Sequence, residues 1–279
     1  MSIKDILVHV NASPGAPSRV ETAARLAQSQ QARLAGLYVV TPLDIPDHIR
    51  AQLSSEVIER QQQAAEQMAE QCRETFTEIA AKFDIEPDWT VAHGDLSRQI
   101  TRQTRYYDLV VLGQHGADND VQPGSGKLPD SVVLASGRPV MIVPGDAPPR
   151  EVGRDLLVAW DGSRQAVRAI SDNLPLLVSA QRVVVLVVNT HGARRQEEIE
   201  LTGANISRHL NRHGVHAEPI QVQAKEHNVG QAILGQAAET GSDAIVMGAW
   251  GHQKWQEMIL GGVTRFMLEH ADRPVIMSH

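Results

Sequence analysis

The chain contains a single cysteine, Cys72, in 279 residues. That excludes an intramolecular disulfide and any zinc site built from paired cysteines, and it suits a reducing compartment. An excess of basic residues is lacking too: the formal net charge is -7 and the pI about 5.9. Binding to nucleic acid is therefore not expected, because affinity for a phosphate backbone rests on clustered Lys and Arg. No apolar run approaches the roughly 20 residues that cross a bilayer, so no membrane partner is expected. The opening residues, Met1-Ser2-Ile3-Lys4-Asp5-Ile6-Leu7-Val8, enter a strand-like run with none of the parts of a secretory signal. The expectation is a cytoplasmic protein whose partner is a small ligand or another protein. The residues that are present support folding: 42% are hydrophobic and 21% charged, enough apolar material for a core in each half of the chain.

The most informative feature is an internal repeat. Asp108-Leu109-Val110-Val111-Leu112-Gly113 matches Asp243-Ala244-Ile245-Val246-Met247-Gly248. At the same offset Gly116 pairs with Gly251, Gly126 with Gly261, and Arg138-Pro139-Val140 with Arg273-Pro274-Val275. Nearer the start of each half, Ile6 to Ser13 pairs with Leu156 to Ser163 at a larger offset, so the first copy has the longer middle. Pro144-Gly145-Asp146-Ala147-Pro148-Pro149 breaks regular structure and marks the linker. The domains are expected at 1–146 and 152–279.

Within each copy, Val-, Ile- and Leu-rich runs alternate with longer amphipathic segments, the pattern of βαβ units around a parallel sheet. In the second copy strands are expected over 155–160, 182–189, 216–222, 243–248 and 274–278. Ser163 is an expected helix N-cap, as is Asn228. A long helix is expected over 49–83, with one apolar stripe and a solvated remainder. The fold class expected from this pattern is two tandem α/β domains, Rossmann-like, each with five parallel strands in the order 3-2-1-4-5 sandwiched by helices.

In such sheets ligands sit beyond the carboxyl ends of the strands where the order reverses, here the first and fourth. The first strand of the second copy ends in Trp160-Asp161-Gly162-Ser163. The fourth runs through Met247-Gly248-Ala249-Trp250-Gly251, nine further residues, and Gly261-Gly262-Val263-Thr264. Glycines let backbone N–H groups approach an anion, and a helix opening near Gly262 aims its positive end at phosphates. Thr264 is expected to add a hydroxyl donor, and Asp161 to accept from a ribose or an adenine amino group.

These elements resemble the ATP-binding elements of the universal stress protein family, across essentially the whole chain and both copies. The resemblance implies a tandem member in which Trp160, Asp161, Val188, Met247, Gly248, Gly251, Gly261, Gly262, Val263 and Thr264 form an ATP site. Magnesium would enter only as the companion of ATP. The family places Ser or Thr after the third glycine, where this chain has Gly262. In the first copy Asn11 replaces the acidic residue and Lys127 follows Gly126, so that copy is expected to be mainly structural. Single-domain members pair through their last strands, which implies an internal pseudo-dimer here and leaves a further homodimer open.

The expected role is an ATP-binding stress-response switch or scaffold. An interaction scaffold without nucleotide and a weak ATP-hydrolysing enzyme stand as alternatives, and no catalytic residue is assigned. Gly124-Ser125-Gly126-Lys127 is not a P-loop, because Val121 and Leu128 occupy the positions of its first glycine and its hydroxyl residue. His209 and His213, four apart on an expected helix, read as surface histidines and not as a metal grip.

Overall fold

The computed structural model describes residues 2–41, 54–114, 125–145, 147–190, 196–250 and 262–279. The branched-aliphatic runs form strands and the amphipathic intervals form helices. The first half runs β1 (Asp5–His9), α1 (Ala16–Gln30), β2 (Arg33–Val40), α2 (Ser55–Ala81), β3 (Asp88–His93), α3 (Leu96–Thr104), β4 (Leu109–Gly113), α4 (Leu128–Ala135) and β5 (Val140–Val143). The second runs β6 (Asp155–Ala159), α5 (Arg164–Asp172), α6 (Leu174–Ser179), β7 (Arg182–Thr190), α7 (Gln196–Arg212), β8 (Ala217–Ala224), α8 (Val229–Glu239), β9 (Ala244–Gly248), α9 (Gly262–His270) and β10 (Val275–Ser278).

The strands form one ten-stranded sheet in the order β3-β2-β1-β4-β5-β10-β9-β6-β7-β8. Each half contributes five strands in the order 3-2-1-4-5, all paired in parallel. The halves meet edge to edge through β5 and β10, which pair antiparallel with Val275 opposite Ile142 and Met277 opposite Val140. Alternate residues of each strand then feed two apolar layers: Leu156 and Val158 lie on one face, Leu157 and Ala159 on the other. Each layer spans both halves. One joins Val20 and Phe76 to Leu176 and Leu210, the other Leu96 and Val132 to Ile233 and Met267.

Helix starts follow local chemistry in two cases and depart from it in one. The Ser163 hydroxyl accepts the Ala166 N–H at 3.1 Å to open α5, and Asp95 accepts from Arg98 at 2.8 Å to open α3. Asn228 precedes α8, but its side chain makes no capping bond. A 3-10 turn over Glu226–Asn228 leaves its backbone at φ -110°, ψ 8°, not the extended conformation from which a side chain reaches back to the second or third N–H. The long Gln- and Glu-rich helix is α2. It buries Ala69, Cys72, Phe76, Ile79 and Ala80, and residues 49–53 of the expected span lie outside the described residues. Burial pushes the Cys72 thiol above its ordinary range, consistent with an inert packing role. Among the described residues no helix is long and apolar enough to cross a membrane.

The linker is docked. The Ser18 hydroxyl donates to Ala147 O at 2.7 Å, and Val152 is buried in the core. Gly153 turns at φ +102° with a Leu176 methyl where a Cβ would stand. The repeated aspartate at the head of β4 and of β9 anchors the entry to the first strand of its own half. Asp108 accepts from the N–H groups of Lys4 and Asp5, and Asp243 from those of Gly153, Arg154 and Asp155 at 2.8–3.0 Å. Burial pushes the Asp243 carboxyl above its ordinary value, against the pull of these three donors.

Asp243→Asn puts an amide nitrogen where an acceptor is needed. It is expected to lower stability at neutral pH by about 1–3 kcal/mol, the cost of one buried donor left unsatisfied. The sign with pH comes from linkage: an acid whose folded pKa is raised makes the fold bind more protons, so its contribution is greatest below the unfolded value and falls as pH rises through the folded value. The deficit of Asp243→Asn in urea titrations should therefore be larger near pH 3.5 than at pH 7.

Candidate functional site

Strand order reverses beside β6 and β9 in the second half, so the carboxyl ends of these two strands border the crevice. The Trp160 N–H extends the β6 ladder by donating to Leu186 O at 2.8 Å. Asp161 then projects as an exposed residue whose Oδ1 accepts the Ser163 N–H at 2.9 Å, a local Asx turn. Gly162 makes that turn at φ +74° with open space around it. Asp161, Gly162 and the Ser163 cap thus form one hydrogen-bonded corner between β6 and α5.

At β9 the same crevice is set by a close approach of backbones. A Cβ on Gly248 would lie 2.5 Å from the Gln165 carbonyl carbon and 2.6 Å from the Ala166 nitrogen. Glycine at 248 is thus required by the packing of α5 on β9, whatever it also does for a ligand. Ala249 continues the ladder to Ser278 O at 2.9 Å. Trp250 then turns at φ +54°, a left-handed conformation costing roughly 1–2 kcal/mol in a residue with a Cβ. Its N–H donates to Thr264 Oγ1 at 3.1 Å. Thr264 is buried in the first turn of α9, and its hydroxyl oxygen accepts this bond with one of its two lone pairs. The His279 ring meets the Trp250 indole edge-on at 6.1 Å, and its Nδ1 lies 3.0 Å from Ala249 O. Since a carbonyl only accepts, Nδ1 carries the proton.

The remaining expected residues divide. Val188, Met247 and Val263 lie in one apolar cluster with Ala159, Ala249 and Trp250, on the face covered by α8 and α9, while the Trp160 indole packs on the opposite face. Gly262 is exposed, with nothing within 4 Å of where a Cβ would be. Gly251 and Gly261 lie outside the described residues.

The first half has a different interior at the corresponding corner. Arg19, on the buried face of α1 and 1% exposed, donates through Nε to His9 O at 2.9 Å and through Nη2 to Asn11 Oδ1 at 2.8 Å. Asn11 Oδ1 also accepts the Ser13 hydroxyl at 2.7 Å. Continuing the repeat, Ala169 stands opposite Arg19 and exposed Asp161 opposite buried Asn11. The sequence signal for Arg19 is its position: it shares the helical face of Ala16, Ala23 and Ala27, all buried.

Among the described residues no group of three or more His, Cys, Asp or Glu is placed to hold a metal. The exposed His209 and His213 rings lie 4.7 Å apart, at the carboxyl end of α7 and so at the sheet edge opposite the crevice. A 620 Å³ depression lined by Gln181, Arg182, His216 and Glu218 also lies at that opposite edge.

Comparison with known proteins adds family and fold. The model of the universal stress protein family matches twice, at residues 2–144 and 154–279. A universal stress protein from Archaeoglobus fulgidus DSM 4304 superposes with a TM-score of 0.75 at 19% identity, covering 98% of this chain and 97% of its own. A candidate universal stress protein from Pseudomonas aeruginosa UCBPP-PA14 gives 0.54 at 16% identity, with 99% and 93% covered. Such identities speak to fold alone. No curated protein matches the chain closely enough to add to this.

Two substitutions test these contacts. Gly248→Ala should cost about 1–3 kcal/mol, the range for overpacking, because the atoms it meets are backbone. Arg19→Met should cost about 2–4 kcal/mol, since it leaves His9 O and Asn11 Oδ1 without a charged donor at about 1.5–3 kcal/mol per bond, partly offset by apolar packing. Chemical denaturation at pH 7 measures both. The reverse change at the matching position, Ala169→Arg, is expected to destabilise.

Proposed function

The chain belongs to the universal stress protein family, and we propose that its second half binds an adenine nucleotide, ATP foremost. In this reading the whole chain is a cytoplasmic stress-response switch or scaffold and not an enzyme, or at most a weak ATPase. The observation that carries the reading is the contrast between the two corners. In the second half Asp161 is exposed and Gly262, at the start of α9, has open space about it. In the first half the matching Asn11 is buried and bonded to Arg19.

The chemistry fits the ligand. An exposed carboxylate accepts from ribose hydroxyls or an adenine amino group, and the amino end of α9 favours phosphate through its free N–H groups and dipole. Val188 and Val263, half-buried in the same apolar cluster, offer an apolar surface for a base. Magnesium is read only as a companion of ATP. The antiparallel pair of β5 and β10 is read as the internal counterpart of a dimer, with a further homodimer left to measurement. A second reading, an interaction scaffold without nucleotide, is favoured by Gly262, which supplies an N–H but no hydroxyl.

The full chain, purified and then denatured, should release adenine nucleotide detectable by mass spectrometry, and the emptied protein should take up ATP in calorimetry. Asp161→Ala should weaken uptake about 10- to 100-fold, the equivalent of a lost charged hydrogen bond at about 1.5–3 kcal/mol. Gly262→Ser, which the open space accommodates, should tighten it by roughly fivefold for one added neutral bond near 1 kcal/mol. Neither released nucleotide nor heat on adding ATP would leave the scaffold reading in place.

A further inference from the structure

We infer that His279, together with Thr264, is a positioning residue of the second-half crevice: the two clamp the Ala249–Trp250 peptide and fix the direction in which the chain leaves β9. The inference rests on the nucleotide reading for its purpose but on separate contacts for its existence. Trp250 holds a left-handed backbone at φ +54°, a conformation that persists in such a residue only where the surroundings over-determine it. Both atoms that over-determine it lie outside its own strand. Thr264 Oγ1, in α9, accepts the Trp250 N–H at 3.1 Å, and His279 Nδ1, just past β10, donates to Ala249 O at 3.0 Å while its ring edge backs the indole.

The repeat supplies an internal control. Carried along the offset that pairs Asp108 with Asp243, Thr264 stands opposite Pro129 and His279 opposite Pro144. Neither proline has a side-chain donor or acceptor, so neither of these two side-chain contacts has a counterpart at the matching position of the first half. Among the described residues the clamp occurs in the half with the exposed carboxylate. The occupant it serves is a phosphate-bearing ligand, because the clamped peptide lies at the strand end facing the amino terminus of α9.

The test uses the full chain as wild type, His279→Ala, His279→Asn and Thr264→Val. Amide hydrogen exchange at Trp250 is followed by NMR and ATP uptake by calorimetry. Asparagine places an amide N–H close to where histidine carries Nδ1–H, and valine keeps the shape of threonine without its oxygen. His279→Ala and Thr264→Val should each speed exchange at Trp250 at least tenfold, and His279→Ala should weaken ATP binding about five- to tenfold. His279→Asn should recover most of both effects, which a loss of ring packing alone would not allow. Unchanged exchange in His279→Ala, or His279→Asn as impaired as His279→Ala, overturns the inference. Should the wild type take up no ATP at all, the nucleotide reading fails by itself, and the exchange measurements still decide whether the clamp exists.

Discussion

Everything on the carboxyl edge of the second half depends on how closely α5 lies against β9. The helix backbone passes within 2.5 Å of where a side chain at Gly248 would begin, a distance that only glycine at this position permits. It places the Ser163 cap, the Asx turn at Asp161 and the start of the Ala249–Trp250 turn in fixed relation. A bulkier residue at 248 would have to move a helix whose inner residues Ala166, Ala169 and Ile170 are buried, and protein interiors pack too densely to absorb such a shift locally.

The two halves answer the same topological situation in opposite ways. In the first, a buried guanidinium bonds to the end of β1 and to Asn11, so His9 O and Asn11 Oδ1 are met by the protein's own atoms. In the second, alanine occupies the matching helical position and Asp161 is exposed to water. A buried Arg is tolerated where its donors are met, and here it fills the corner that the second half leaves to Ala169 and Asp161. The contrast parallels the clamp at Trp250, whose two side chains, Thr264 and His279, are matched in the first copy by Pro129 and Pro144.

Much of this was written in the pattern of the chain. The strands are legible because buried parallel strands read as continuous aliphatic runs, as in Val183-Val184-Val185-Leu186. The Ser163 cap and the Asp161 corner are legible from local chemistry. Asn228 is less so, because a preceding 3-10 turn changes the backbone its side chain would need. The reason for Gly248 is hidden, since a helix-packing glycine and a ligand-facing one look alike in sequence. Trp250 and His279 are hidden for a related reason: their roles come from contacts between separate elements, and neither periodicity nor spacing marks a tryptophan with a left-handed backbone, whereas the inward turn of Arg19 is signalled only by its place on the buried face of Ala16, Ala23 and Ala27.

The docked linker has one more consequence. Two separate subunits held by a four-residue edge strand would come apart on dilution, whereas here the join between β5 and β10 is intramolecular and independent of protein concentration. It also frees the junction from self-complementarity, which an isologous interface imposes on every residue it contains. Gln114 donates across it to Ala271 O at 3.1 Å, while the position matching Gln114 is Ala249, which has no amide to return the bond. Holding both halves in one chain thus allows the two sides of the junction to carry different residues and different contacts.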